Sequence, residues 1–171
     1  MYVETSVNPL FKSIDRTKTP DQYLGEVARV ASVYAFQSKQ MDLANKYVDV
    51  AMKDTAVYKD ALNLKMYLMQ QNLKSKADSL QYVETLKGLY AKDSKNDQIF
   101  ATIVNMYGSL KMTAEQDKVI ADKLAAEPDN SIAWALKGQN FMNASKSEQA
   151  VDCFKKAIVK DDKNVVVLTY L

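Results

Sequence analysis

Residues Pro128–Asn164 read PDNSIAWALKGQNFMNASKSEQAVDCFKKAIVKDDKN, and most of the chain reads as a variation on them. Trp134, Gly138 and Phe141 stand at offsets 0, 4 and 7, one stripe of an α-helix. Ala150, Phe154 and Ala157 repeat those offsets further on. Between the two stripes, Ser145, Ser147 and Glu148 lie in a stretch that fits a capping box, with Ser145 as the cap. A large aromatic facing a small residue lets two helix axes come close, so the stretch predicts a helical hairpin.

The spacing propagates. Asn96, Asn130 and Asn164 lie 34 apart, each just before an expected first helix, where an Asn side chain can cap the free N–H groups. Phe100, Trp134 and Leu168 follow four residues later in each case. Val104 then matches Gly138, Tyr107 matches Phe141, and Ile120 matches Phe154. Gln116 and Lys123 stand where the later hairpin has Ala150 and Ala157, so packing there must differ, with Leu124 as the apolar substitute.

Upstream, Thr19-Pro20-Asp21-Gln22 is a helix-start signal. It predicts a helix to about Ser38 that buries Leu24, Val27, Ala31 and Tyr34. A second helix over 41–53 carries Ala44, Val48 and Ala51 at the spacing of 150, 154 and 157. Helices over 60–73 and 77–91 follow, the latter through Leu80, Val83, Leu86 and Leu89. This second hairpin is about 38 residues long, one helical turn more than its neighbours. The expected units are 19–58, 59–96, 97–130 and 131–164, with a partial fifth at 165–171. Residues 1–18 form a tail or a short helix, carrying Leu10, Phe11 and Ile14 after Asn8-Pro9. The closing run to Leu171 is apolar where a helical array needs a polar cap. Its Val166, Leu168 and Leu171 imply either a natural chain that continues or self-association through that end.

Composition narrows the function. The 23 basic and 21 acidic residues leave a net charge of +2, spread without a one-signed block. That argues against a nucleic-acid footprint or a polybasic membrane anchor. With no histidine, imidazole triads, His-ligated zinc and His general bases are excluded. Cys153 is the single cysteine; lacking a His base beside it, it reads as a structural thiol rather than a nucleophile. Asp93–Asp97 and Asp161–Asn164 look superficially like calcium loops but lack the closing bidentate Glu and coincide with turns. No catalytic residue, metal site or cofactor is expected, and no apolar run approaches a membrane span. Cytosol and export after signal removal are both compatible with the composition.

The 34-residue period with its aromatic-small stripes resembles the tetratricopeptide repeat superfamily, whose period is about 34 residues. The resemblance covers most of the chain. It departs at Lys137, where the family usually has Leu, with Leu136 beside it. It implies an all-α, right-handed solenoid of about four helical hairpins plus a partial fifth. The structural anchors would be Phe100, Val104, Tyr107, Trp134, Gly138, Phe141, Ala150, Phe154 and Ala157, with Trp134 enclosed between paired helices. First helices of the family line a concave groove that binds peptides. The resemblance therefore implies an amide ladder of Gln71, Asn105 and Gln139, also 34 apart, with Ala101 and Ala135 leaving room beside it. The implied partner is a protein or an extended peptide, not a nucleic acid. Members that grip a C-terminal carboxylate pair Asn with Lys; here the companion positions are Ala101 and Ala135, so that clamp is rejected. Two other classes fit the same residues: a structural or self-associating arm of a larger assembly, and an accessory domain of an enzyme whose catalytic part lies elsewhere.

Overall fold

The computed structural model describes residues 23–160, which form eight α-helices and no strand. The start signal at 19–22, the 1–18 segment and the run 164–171 lie outside the described residues. The helices are α1 (Leu24–Gln37), α2 (Met41–Ala51), α3 (Tyr58–Gln71), α4 (Lys76–Lys92), α5 (Asp97–Ser109), α6 (Thr113–Ala126), α7 (Ser131–Asn143) and α8 (Ser147–Lys160). They fall into two compact units that divide between Leu73 and Lys74.

In the first unit α1 packs on α2 and α2 on α3. The face of α1 turned inward is Gly25, Ala28, Ser32 and Ala35. This corrects the sequence reading of Leu24, Val27, Ala31 and Tyr34, which is rotated by one residue; Val27 and Tyr34 are exposed. Small side chains win the inner face because α2 comes close: Ser32 Oγ donates to the Ala44 carbonyl at 2.8 Å, which satisfies a fully buried hydroxyl. Ala28, Ala35, Ala44, Tyr47, Val48, Ala51, Ala61 and Leu68 complete this core. Lys65 Nζ reaches from α3 to Asp49 Oδ1 (3.0 Å) and Asn45 Oδ1 (3.1 Å) on α2.

In the second unit α4 packs on α5, α5 on α6, α6 on α7 and α7 on α8, and the first helices α5 and α7 also touch. Ser75 Oγ caps α4 by accepting from Asp78 N, while Asp78 Oδ2 accepts from Lys74 N. The Lys74 N–H and then the Ser75 hydroxyl hold the Asp78 carboxyl below its usual range. Asn96 Oδ1 and Asn130 Oδ1 accept from Ile99 N (3.1 Å) and Ala133 N (2.8 Å), so both matched asparagines cap their helices. Gln116 sits where a small residue was expected because Gly108 leaves it space. Its Nε2 donates to the Val104 carbonyl at 3.2 Å, and a Cβ on Gly108 would come within 2.7 Å of that nitrogen.

Lys123, the other misfit, is almost fully buried yet charged. Its ammonium donates to Glu127 Oε1 (2.9 Å) and the Ser94 carbonyl (3.1 Å), and lies 3.1 Å from Asp97 Oδ1. It also stands over the Tyr90 and Phe100 rings at 5.7 and 5.6 Å. Asn130 Nδ2 donates to the same Asp97 (3.0 Å) and Glu127 (2.9 Å) carboxylates. Lys123 and Asn130 together, sharing the two carboxylates, tie the start of α5, the end of α6 and the start of α7.

Three hairpin turns share one conformation. Lys39, Lys111 and Ser145 have φ of 60°, 57° and 58°. The next N–H in each turn donates back to Ala35, Tyr107 and Phe141 carbonyls at 2.9, 2.9 and 2.8 Å. Lys111 and Ser145 are 34 apart, and Lys39 precedes Lys111 by 72, one ordinary period and one lengthened by a turn. This corrects the capping-box reading: Ser145 occupies the left-handed position of the turn and cannot also cap α8, which begins at Ser147. A left-handed conformation is unfavourable for any residue with a Cβ. Lys111→Gly is therefore expected to raise stability by roughly 0.5–1 kcal/mol in a denaturant melt. A decrease would show that the Lys111 side chain makes a contact worth more than the backbone strain.

Candidate functional site

The residues singled out as groove-facing come from three helices. Asn105 is the ninth residue of α5 and Gln139 the ninth of α7, so both stand at the same height on adjoining first helices. Asn105 is exposed and Gln139 is half-buried. One turn earlier stand Ala101, half-buried against the Phe100–Val104–Ile120–Ala133–Leu136 cluster, and Ala135, buried against Ala150, Phe154 and Ala157. Around Asn105, the hydroxyls of Thr102 and Ser109 are spent on their own helix, donating to the Gln98 (2.8 Å) and Asn105 (3.0 Å) carbonyls.

Gln71 does not share that height. It is the fourteenth and last residue of α3, exposed at the helix end. The extra helical turn lies after α3, in or beside the 17-residue α4, so the residues of α3 matching Ala101 and Asn105 are 38 earlier, Asn63 and Tyr67. The buried faces agree: Ala61, Leu62 and Met66 of α3 correspond in this register to Ile99, Phe100 and Val104 of α5. Tyr67 is exposed and makes an edge-to-face contact with Phe36, ring centroids 5.5 Å apart. Asn63 Oδ1 is buried without a hydrogen-bond partner among the described residues. Sequence reasoning missed this pair by holding the period at 34; the 38-residue unit was the available signal.

Of the anchor positions, Phe100, Val104, Tyr107, Ala150, Phe154 and Ala157 are buried, as is Gly138, whose missing Cβ leaves room for the Phe154 ring. Phe141 is half-buried. Trp134 differs from its reading as an enclosed anchor. It is half-buried, its Nε1 donates to the Pro128 carbonyl at 2.7 Å, and Lys156 and Lys137 stand over its ring at 4.3 and 5.2 Å. Indole is large and carries a donor, so it covers the hairpin edge while the preceding Ala133 fills the interior.

Cys153 is buried, and burial pushes its thiol up against the opposing pull of the Lys137 and Lys156 charges. It stays a thiol at neutral pH and packs as an apolar group. Asp97, from the calcium-like stretch, is engaged by Lys123 and Asn130. No helix among the described residues is long and apolar enough to cross a membrane.

No family model matches this chain, and no curated protein matches it in sequence. Solved structures do match in fold. One is MamA, residues 41 to the end, from Desulfovibrio magneticus RS-1, with a TM-score of 0.51 and 14% identity over 86% of this chain and 80% of that one. The fold is therefore an all-α, tetratricopeptide-like array of helical hairpins.

Proposed function

We propose that this protein is a non-enzymatic scaffold that holds an extended segment of a partner protein against the first helices of its repeats. Within the second unit the contact surface is Ala101 and Asn105 of α5 with Ala135 and Gln139 of α7. Gln71, the last residue of α3, is not included in the proposal. We propose repeat units at about 19–58, 59–96, 97–130 and 131–164, with a partial fifth at 165–171. The observation that carries the reading is the recurrence, on two touching helices, of a side-chain amide one turn after an alanine. An amide both donates and accepts, so it can pair with a peptide backbone irrespective of sequence, and alanine lets that backbone approach.

The test is selection of linear peptides against the full chain, followed by affinity measurement on Asn105→Ala/Gln139→Ala. Two hydrogen bonds lost should weaken binding between about fivefold and a hundredfold. The melting curve of Asn105→Ala alone should coincide with that of the unaltered chain, since Asn105 is exposed. Peptides that bind both proteins equally would move the site elsewhere.

A further inference from the structure

Residues of α6, α7 and the turn after α7 line a cleft of about 370 Å³ within the second unit. Its apolar lining includes Ile120, Phe141 and Ala144, and its polar lining includes Asp117, Lys137 and Lys146. The same interface one repeat earlier, α4 on α5, shows how it looks when packed. The registers agree, because α4 and α6 both end four residues before a capping asparagine. Val83 and Ile103 hold the places of Asp117 and Lys137 there, and are 0% and 1% exposed. Leu110 and Met112 hold the places of Ala144 and Lys146; both are half-buried, whereas Ala144 and Lys146 are exposed. Four apolar places have thus become an aspartate, two lysines and an alanine. Leu86 and Tyr107, by contrast, keep apolar counterparts in Ile120 and Phe141.

The charges of this cleft are unbalanced. Asp117 Oδ1 already accepts from Asn140 Nδ2 at 3.1 Å. No carboxylate among the described residues pairs with Lys137 or Lys146, and Lys137 stands over the Trp134 ring. Opening an interface and lining it with unpaired cations weakens the array and gains nothing inside it, the pattern of a site kept for an incoming group. We infer that the cleft takes one large apolar side chain of a partner protein that carries an acidic residue next to it. The side chain fills the space that Ala144 leaves where the earlier interface has Leu110, and the carboxylate pairs with Lys137 and Lys146. The volume lies at the low end of small-molecule sites, roughly 300–1,000 Å³, and suits a single anchoring side chain within a charged rim. Both lysines disfavour a basic segment, and a wholly apolar one would desolvate their charges without pairing them. Ala135 and Gln139 take no part, so the cleft does not rest on the groove reading.

The test is a selection of terminally blocked, randomised decapeptides on the full chain, counter-selected on Lys137→Ile/Ala144→Leu/Lys146→Met. That variant carries the residues of the packed α4–α5 interface, and a cooperative melt checks that it folds. Peptides that depend on the cleft should carry Asp or Glu beside Leu, Ile, Met or Phe, and should bind the unaltered chain about tenfold or more tightly than the filled variant. Lys137→Gln/Lys146→Gln leaves the cleft open, so at low ionic strength it should weaken these peptides about fivefold or more. It should also remove their advantage over analogues with Asn for Asp and Gln for Glu. Asn105→Ala/Gln139→Ala should bind them as the unaltered chain does, so failure of the cleft and failure of the groove are told apart. The inference is overturned if every selected peptide binds the filled variant equally well, or if the peptides that depend on the cleft carry no acidic residue.

Discussion

Phe154→Ala is expected to destabilise the α7–α8 hairpin by about 3–5 kcal/mol, the largest loss from any single truncation in the second unit. The ring is 0% exposed and is enclosed by Ala135, Ala150 and Ala157, which are too short to move in after it. Gly138 is the reason the ring fits. A Cβ there would come within 2.5 Å of Phe154 Cε1 and 2.7 Å of Cδ1, closer than carbon atoms approach. Gly138→Ala should thus destabilise the native hairpin, despite the roughly 1 kcal/mol that alanine gains over glycine inside a helix. In the Phe154→Ala background the clash is gone, and the same Gly138→Ala change should turn stabilising. A double-mutant cycle, melted in denaturant and followed by Trp134 fluorescence from the same hairpin, reads that reversal of sign as a coupling of 1 kcal/mol or more in rough terms. Additive effects would mean that Gly138 and Phe154 do not meet. A loss below about 1 kcal/mol for Phe154→Ala would remove the ring from the core altogether.

What the sequence reveals of this fold depends on the kind of interaction each residue makes. Asn96 and Asn130 were readable because capping is local: the side chain and the N–H it accepts are three residues apart. Phe100, Val104 and Phe154 were readable because a period of 34 puts them in equivalent columns. The inner face of α1 is hard to read because large apolar residues flank it, whereas a close helix–helix approach selects Ala28, Ser32 and Ala35. The register was nevertheless present. Ala44, Val48 and Ala51 match Ala150, Phe154 and Ala157 at an offset of 106, and the same offset carries Trp134, Gly138 and Phe141 onto Ala28, Ser32 and Ala35. Ser145 was misread for a related reason, since three residues of sequence could not reveal a left-handed turn that Lys39 and Lys111 share without any common residue type. At the candidate site, Asn105 and Gln139 came from spacing alone. Tyr67 and Asn63 did not, because the position of the added turn within the second hairpin is set by helix lengths that composition does not encode. Lys123 was legible only as a misfit, since its carboxylate partners come from another helix and a helix end.

Removing both carboxylates from that lysine, in Asp97→Asn/Glu127→Gln, should cost about 3 kcal/mol or more, although neither substitution changes shape appreciably. The Lys123 side chain is only 2% exposed, so the ammonium left behind would have neutral carbonyl oxygens and two aromatic faces in place of two negative charges. A third change, Lys123→Met, should then recover most of the loss by filling the same channel between Tyr90 and Phe100 without a charge to desolvate. The comparison separates the cost of an orphaned cation from the net worth of the intact network. If the triple variant is no more stable than the double, the loss comes from the helix ends and not from the buried charge. Acid and base should probe the same network from opposite sides. Burial pushes the Lys123 ammonium down, but its bonds to Glu127 and Asp97 outweigh that and hold it above the ordinary lysine range. The bonds from Lys123 and then Asn130 hold Glu127 below the ordinary carboxylate range. A raised folded value contributes stability below the unfolded lysine pKa of roughly 10.4, lost as pH climbs through the higher folded value. A lowered one contributes above an unfolded value of roughly 4.3, lost as pH falls through the folded value. The stability difference between the wild-type chain and the triple variant should accordingly be flat from about pH 5 to 10 and shrink on either side. A difference that is independent of pH across the whole range would show that the Lys123 network contributes by packing and not by charge.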